Sequence, residues 1–235
     1  MKVKLFLLAW LAIGVCQAFG QKVGADQRVH PSVSILGDSY STFAGWVTPD
    51  TMELWYFGSR EDPKRTDVCK VSETWWHQLI KMMGWKLERN NSWSGSTICN
   101  TGYRDENATY KSFLTRMDNL GSPDVILIFG GTNDSWANAP IGDFMYEGWR
   151  MADLFYFRPA MAYMLDFMQE RYPTATIYVI SNSELKESIT QSMQTICDHY
   201  GIKMIQLHDI DKQNGHPNVK GMRKIAEQIR LKIQK

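Results

Sequence analysis

Five short stretches with the composition of β-strands alternate along this chain with longer stretches of helical character. The strand-like stretches lie at 33–36, 85–91, 124–129, 176–180 and 202–207. Between and after them, apolar residues recur at helical spacing in 72–83, 111–119, 145–171, 187–200 and 219–233, and the third of these patterns is interrupted near Arg158-Pro159. Strands that alternate with helices favour a parallel sheet with helices on both of its faces. The pattern therefore predicts an α/β fold with five strands.

The first predicted strand ends abruptly at the tripeptide Gly37-Asp38-Ser39. Open α/β sheets bind their ligands at the carboxyl ends of parallel strands, so a serine at this point would project its hydroxyl into a crevice. Serine also caps helices frequently, and residues 35–41 alone leave both interpretations open. Three distant segments of the chain favour the functional one.

Those three segments each contain a residue suited to acyl-transfer chemistry. They are 91–96 with Gly95, 128–134 with Asn133, and 216–218 with His216. Together with Ser39 they resemble, in order, the four sequence blocks of the SGNH or GDSL-type hydrolases, a family named after its serine, glycine, asparagine and histidine. The resemblance extends from Val33 to the C-terminus. It implies a flavodoxin-like three-layer α/β/α sandwich with a five-stranded parallel sheet in the order 2-1-3-4-5.

The resemblance and the chemistry of the residue types together suggest a role for each of these residues. Ser39 is the expected nucleophile, and His216 is the general base that accepts its proton. The backbone N–H groups of Ser39 and Gly95 and the side-chain amide of Asn133 would bind the oxyanion of the tetrahedral intermediate. Trp136, just beyond the third block, is a candidate wall of the substrate pocket. We therefore expect a serine esterase that uses no cofactor and no metal.

The position of the catalytic acid is where this chain departs from the family. The acid usually lies three residues before the histidine, and Gln213 occupies that position here. A carboxylate orients the imidazole and stabilises its charged form, whereas Gln213 could orient His216 through its amide oxygen but could not supply charge. Asp211 or Asp209 could take its place, and we predict Asp211 because it is the nearer in sequence. The alternative is a Ser–His dyad aided by a backbone carbonyl.

The N-terminal segment 1–20 has the pattern of a signal peptide. Lys2 and Lys4 precede an apolar run at 5–15 that is too short to span a bilayer, and small residues follow before Gln21. We expect cleavage before Gln21, one hydrolase domain over 21–235, a secreted or periplasmic location and no membrane span after processing. A retained membrane anchor is the alternative.

The charge of the chain argues against two classes of partner. Cleavage before Gln21 would remove two lysines and so change the formal charge from +1 to −1. A nearly neutral chain gives no electrostatic reason to bind nucleic acid or an anionic membrane. The expected partner is therefore a small-molecule or glycan ester that acts as substrate.

Three cysteines, Cys69, Cys99 and Cys197, remain in residues 21–235. An oxidising compartment would allow one disulfide and leave one thiol. Cys69 and Cys99 lie in loop-like segments and are the predicted pair, with three free thiols as the alternative. No two cysteines have metal-ligand spacing, and no His-Glu-x-x-His run occurs.

The class of ester is suggested by the family and by the aromatic segment 42–71. Many family members remove acetyl or other acyl groups from carbohydrates, and flat aromatic side chains suit the apolar faces of sugars. The same aromatic residues could instead form a packed surface loop. We predict a carbohydrate esterase. The alternatives are a lipid esterase or thioesterase of the same fold, and a carbohydrate-binding module with impaired catalysis.

Overall fold

The structure is a computed structural model that describes residues 30–58 and 65–234. The predicted signal peptide, 1–20, therefore lies outside the described residues. In the two described ranges, no helix has both the length and the apolar character needed to cross a membrane.

A five-stranded parallel sheet forms the centre of the fold. Its strands are β1 (Ser32–Gly37), β2 (Lys86–Ser92), β3 (Val125–Gly130), β4 (Thr176–Ser181) and β5 (Lys203–Gln206). They lie in the order β2-β1-β3-β4-β5, and each neighbouring pair is parallel. Strand β3 is buried along its whole length, as a central strand covered on both faces must be. The predicted flavodoxin-like sheet is thus confirmed.

Helices cover both faces of this sheet and complete the three layers. They are α1 (Trp75–Met83), α2 (Phe113–Arg116), α3 (Thr132–Ala137), α4 (Phe157–Arg171), α5 (Glu187–His199) and α6 (Val219–Ile233). Helices α1 and α6 pack together on one face, and α4 and α5 on the other. Successive β1 side chains point to opposite faces, so Ile35 joins the core under α1 and α6 while Leu36 joins the core under α4 and α5.

Three predicted helix boundaries differ from the structure. Helix α1 begins after Thr74 and not at Ser72, because the Thr74 hydroxyl accepts the His77 N–H and caps the helix. Helix α4 begins only at Phe157, with Pro159 in its first turn, where a missing N–H is tolerated. The helical pattern predicted over 145–171 therefore begins too early, and its predicted interruption near Arg158-Pro159 lies at the start of α4. The helix predicted over 111–119 is too long, since α2 has only four residues.

The predicted polar loop 209–215 contains the start of a β-hairpin. Strand β6 (Lys212–Gln213) pairs antiparallel with β7 (His216–Pro217). Asn214 and Gly215 connect them with φ angles of 50° and 75°, the left-handed conformation that a two-residue type I′ turn requires. Because Asn-Gly is the dipeptide that most favours this turn, the local sequence explains why the hairpin forms here.

The predicted Cys69–Cys99 disulfide is wrong. All three described cysteines are free thiols, which was the alternative. Cys99 is fully buried in a small cluster with Ala139 and Ala160, whereas Cys69 is partly exposed in the segment before α1. Among the described residues, no group of three or more His, Cys, Asp or Glu side chains is arranged to hold a metal ion.

Candidate active site

The carboxyl end of β1 holds Ser39 in a tight turn. A Cβ at Gly37 would lie 2.6 Å from Ser92 Oγ, so only glycine fits where the strand ends. Asp38 caps the following short 3₁₀ turn, Ser39–Ser41, by accepting the Tyr40 N–H at 3.0 Å. Burial raises the pKa of Asp38 to about 7. Ser39 is itself buried, with its hydroxyl facing the hairpin described above.

His216 reaches Ser39 from that hairpin. Its Nε2 lies 2.9 Å from Ser39 Oγ. Its Nδ1 lies 3.1 Å from the carbonyl oxygen of Asn214, within the type I′ turn. A carbonyl oxygen only accepts, so this contact places the imidazole proton on Nδ1 and leaves Nε2 free to accept the Ser39 proton. The structure thus brings together the two residues that the sequence placed at the centre of the chemistry.

The structure does not bring the predicted acid, Asp211, to His216. Asp211 Oδ1 lies 2.9 Å from Lys220 Nζ, and its Oδ2 lies 2.7 Å from Lys224 Nζ, both on α6. Hydrogen bonds from these ammonium groups lower the pKa of the Asp211 carboxyl. The expectation for Asp211 is therefore corrected, because its carboxylate is engaged by lysines and His216 Nδ1 contacts a backbone carbonyl.

The other two candidates for the third position do not supply a carboxylate to His216 either. Asp209 Oδ2 lies 3.1 Å from Nδ1 of the exposed His208. Gln213 is the cross-strand partner of His216 in the hairpin and carries an amide. The geometry is that of a Ser–His pair whose imidazole is oriented by the main chain.

Gly95 follows β2 in a turn that is attached to the end of β1. The Trp93 N–H donates to the Gly37 carbonyl at 3.1 Å, and the Ser96 N–H closes the turn on the Trp93 carbonyl at 3.2 Å. Gly95 has a φ of 77°, which glycine adopts without strain. The turn therefore brings the Gly95 main chain to the same edge of the sheet as Ser39.

Asn133, in the first turn of α3, is held by both ends of its side-chain amide. Its Nδ2 donates to the Ser96 carbonyl at 2.9 Å, and its Oδ1 accepts the Tyr103 hydroxyl at 2.7 Å. Burial raises the pKa of Tyr103 to about 12, so the phenol remains a donor and fixes which way the amide points. Nδ2 carries two protons, and one N–H is left for a ligand.

Asp134, the neighbour of Asn133, supports the loop that carries Gly95. Its carboxylate accepts the N–H groups of Ile98 at 2.9 Å and Cys99 at 3.1 Å. Burial raises the pKa of Asp134 to about 6, although these hydrogen bonds act in the opposite direction. The contacts give Asp134 a structural role in this loop.

A buried guanidinium, that of Arg116, joins the same loop to two strand ends. It donates to the Asn91 carbonyl at 2.6 Å, to Ser96 Oγ at 2.7 Å and to the Gly37 carbonyl at 3.2 Å. Burial lowers the pKa of Arg116 to about 9. Hydrogen bonds to three separate segments fix the relative positions of the Ser39 turn and the Gly95 turn.

In the part of the chain that the structure describes, four aromatic rings surround the imidazole of His216. Trp55 stacks on it with ring centroids 3.5 Å apart and planes inclined by 6°. The centroids of the other three rings, Tyr40, Trp136 and Tyr56, lie 5.2, 5.7 and 6.5 Å away. Trp136, the predicted pocket wall, is 43% exposed, so it borders the site and also faces solvent.

These surroundings keep His216 neutral. Burial lowers its pKa from 6.5 to about 4, and the positive charges of Arg65 and Lys212 act in the same direction. The hydrogen bond to the Asn214 carbonyl opposes the shift without cancelling it. A neutral imidazole is the form that can accept a proton from Ser39, and His216 is in that form at neutral pH.

Comparison with known proteins identifies the family of this chain. The model of the GDSL-like lipase/acylhydrolase family matches residues 31–233. The chain belongs to this family. No curated protein matches the sequence of this GDSL-type hydrolase.

Solved structures of other proteins share the fold of this chain. A protein from Bacteroides ovatus ATCC 8483 assigned to the GDSL-like lipases is 55% identical, with a TM-score of 0.85 over 87% of this chain and 98% of that chain. Its counterpart from Bacteroides uniformis ATCC 8492 is 56% identical, with a TM-score of 0.85 over 87% and 96%. A family two carbohydrate esterase from Cellvibrio japonicus shares the fold at 14% identity, with a TM-score of 0.60 over 88% of this chain and 62% of that chain.

Several residues that position Gly95, Asn133 and His216 in this GDSL-type chain were not predicted from the sequence. Tyr103 and Arg116 orient Asn133 and the Gly95 loop, and Trp55 stacks on His216. Their contacts join segments far apart in the chain, which no spacing rule connects. Asn214-Gly215 alone carried a readable signal, as a hairpin dipeptide.

Proposed function

We propose that this GDSL-type hydrolase is a serine esterase that removes acetyl or similar acyl groups from carbohydrates. The observation that carries the proposal is the 2.9 Å contact between Ser39 Oγ and His216 Nε2, with His216 Nδ1 turned to a carbonyl oxygen. A serine hydroxyl becomes an effective nucleophile when an adjacent base accepts its proton. This geometry supports His216 as that base.

In the proposed reaction, Ser39 Oγ attacks the ester carbonyl carbon while His216 Nε2 accepts the hydroxyl proton. The carbonyl π electrons move to oxygen, and the N–H groups of Ser39, Gly95 and Asn133 bind the resulting oxyanion. Collapse of this intermediate breaks the bond to the sugar oxygen, which leaves with the proton from His216. Water then attacks the acyl-serine with His216 again as base, releases the acid and restores Ser39.

The proposed dyad differs from a triad in the charge beside the imidazole. The Asn214 carbonyl fixes the tautomer of His216, as a carboxylate would, but it carries only a partial charge. The imidazolium that forms after proton transfer is therefore less stabilised by its Nδ1 partner than in a triad. Stabilisation of the His216 imidazolium therefore depends more on the other groups that surround the imidazole ring.

Two partly exposed aromatic side chains support a carbohydrate as substrate. Trp136 borders the His216 ring, and Tyr103, which is 36% exposed, holds the Asn133 amide. Aromatic walls with a few placed polar groups are typical of small-ligand sites. The Cellvibrio japonicus protein of the same fold is a carbohydrate esterase, which makes sugar acetates the first esters to test.

A second candidate is a lipid esterase or thioesterase. It is favoured by the two Bacteroides proteins, which are assigned to the GDSL-like lipases. The two candidates differ in the acyl chain they accept. A series of p-nitrophenyl esters from acetate to palmitate, with a thioester for comparison, separates them. Highest kcat/KM for acetate supports the carbohydrate proposal, and a rise with chain length supports the lipid one.

Acetate release from a panel of acetylated glycans tests the proposed activity itself. Ser39→Ala should abolish release with the fold intact, and a fluorophosphonate should label wild-type Ser39. Ser41→Ala is the matched control, because Ser41 lies in the same turn and its hydroxyl has no hydrogen-bond partner among the described residues. Binding of glycans without hydrolysis of any ester, and without labelling, would show a binding module and refute the enzyme proposal.

A further inference from the structure

The contact between Trp55 and His216 is the closest aromatic stack at the site. The ring centroids are 3.5 Å apart and the planes nearly parallel, so the indole covers one whole face of the imidazole. The Trp55 backbone is fixed as well, since its N–H donates to Thr42 Oγ1 at 2.9 Å. Thr42 Oγ1 in turn donates to the Ser39 carbonyl at 3.0 Å. The stack is therefore attached to the turn that carries the proposed nucleophile.

Both faces of the Trp55 indole are occupied. Arg65 Cζ lies 4.2 Å from the centroid of the same ring. A guanidinium and an imidazole cannot both fit on one face at these distances, so they take opposite faces. Trp55 consequently offers no open face to a sugar, unlike the partly exposed Trp136. We therefore look for the role of Trp55 in its contact with His216.

We propose that Trp55 is a positioning residue that takes over part of the task of the missing catalytic carboxylate. The inference rests on the proposed function, since it concerns the same proton transfer. The stack restricts rotation of the imidazole about its Cβ–Cγ bond and keeps Nε2 directed at Ser39. When Nε2 takes the Ser39 proton, the imidazolium lies against the negative face of the indole, which attracts a cation.

Arg65 limits this attraction, and its positive charge helps to keep the resting imidazole neutral. Its guanidinium occupies the opposite face of the indole, so two cations share one ring once His216 is protonated. The stack on Trp55 therefore orients His216 without holding its imidazole in the protonated form. This agrees with the neutral His216 described above, while the transient imidazolium still gains contact with the ring.

Hydrogen bonds that do not involve Trp55 hold the backbone of the β6–β7 hairpin in place. The buried Tyr40 hydroxyl donates to the Gly215 carbonyl at 2.5 Å, and the buried Tyr56 hydroxyl donates to the Pro217 carbonyl at 2.8 Å. These carbonyls belong to the residues on either side of His216. Removing the indole should therefore free the imidazole ring without releasing the loop, which makes the stack testable by substitution.

The test uses Trp55→Leu, which keeps apolar bulk without a π face, and Trp55→Phe, which keeps a smaller one. Trp46→Leu is the matched control, because Trp46 belongs to the same segment but packs against Trp76 and His77. With p-nitrophenyl acetate we expect Trp55→Leu to lower kcat about 5- to 30-fold, the range expected for loss of a desolvated cation–π contact. KM should change little, Trp55→Phe should fall between, and Trp46→Leu should match wild type.

A double-mutant cycle separates positioning of His216 from a general structural effect. In a His216→Ala background, rates of fluorophosphonate labelling should be the same with Trp55 and with Leu at that position. An equal loss in both backgrounds would assign Trp55 a structural role, and a change in KM alone would assign it to substrate binding. Either outcome overturns the inference.

The same experiments distinguish this inference from the proposed function. Wild-type protein that hydrolyses no ester and resists the fluorophosphonate refutes the proposed function, and the positioning role with it. Wild-type protein that is active while Trp55→Leu keeps full kcat refutes only the positioning role. In the NMR spectrum, the His216 ring protons should lie upfield because of the indole ring current and move downfield in Trp55→Leu but not in Trp46→Leu.

Discussion

Protonation of His216 should destabilise the folded chain, because the ring is buried with a carbonyl as its Nδ1 partner. Burial lowers the pKa of His216 from 6.5 to about 4, so between these values the unfolded chain binds a proton that the folded chain does not. Stability contributed by the neutral ring is fully present above pH 6.5. It is lost progressively as the pH falls toward 4.

The size of this effect follows from the two pKa values. A difference of about 2.5 between 6.5 and 4 corresponds to a loss of about 3 kcal/mol in the free energy of unfolding below pH 4. At pH 5 the unfolded histidine is almost fully protonated and the folded one almost fully neutral. The same linkage relation then gives a loss of about 2 kcal/mol relative to pH 8.

The assay compares urea unfolding of wild type and His216→Asn at pH 8 and pH 5. The raised pKa values of Asp38 and Asp134 make the folded state bind protons in the same range and so stabilise it as the pH falls, but they act in both proteins and cancel in the comparison. The stability of wild type relative to His216→Asn should therefore fall by about 2 kcal/mol between pH 8 and pH 5. His208→Asn, at an exposed position, is the control for replacing a histidine away from the site.

A wild-type-minus-variant difference that does not vary with pH would refute this reasoning. It would mean that folded His216 has an ordinary pKa and is not held neutral by burial. Activity should depend on the same protonation, because the proposed base must be neutral to accept the Ser39 proton. The acid limb of kcat/KM should lie near pH 4 rather than 6.5, so that activity at pH 5 stays close to its maximum.

Asp211→Asn should change kcat less than about threefold, because its carboxylate binds lysines of α6 and not His216; a loss near the 10⁴-fold seen when a triad aspartate is replaced would restore Asp211 to the site. Asn133→Ala should lower kcat by about 10²–10³ with little change in KM, the effect of losing one oxyanion donor, and a change in KM alone would make Asn133 a binding residue. Mass analysis of exported protein should show a chain that begins near Gln21, and a retained Met1 would contradict the signal peptide.

The fold could be predicted from the sequence because its strands leave strong local patterns. Strand β3 is a continuous apolar run, and the Ser39, Gly95 and Asn133 blocks lie at the carboxyl ends of the parallel strands β1, β2 and β3. The strand order needed the family resemblance, since periodicity does not report which strands are neighbours. Helix ends were less predictable: the segment before α4 has apolar residues at helical spacing, but before Phe157 it forms only a short 3₁₀ turn, Asp153–Phe155.

The orientation of the site residues could not be predicted, because it depends on contacts between distant segments. The sequence placed Ser39 and His216 in one site but assigned the third position by proximity in sequence, which led to Asp211. The structure instead uses a main-chain carbonyl, that of Asn214, whose position depends on the conformation of a two-residue turn. Likewise, nothing near Trp55 in the sequence indicates that its indole stacks on His216.

The most direct test of the central claim is the site of acylation during turnover. Wild-type protein is mixed with p-nitrophenyl acetate, quenched in acid within the first turnovers and mapped by peptide mass spectrometry. A covalent Ser39 ester formed with His216 as base predicts one acetyl group per chain on the peptide that contains Ser39, a burst of p-nitrophenol equal to the enzyme concentration, and neither signal in Ser39→Ala. Acetylation of a different residue, or undiminished hydrolysis by Ser39→Ala, would contradict it.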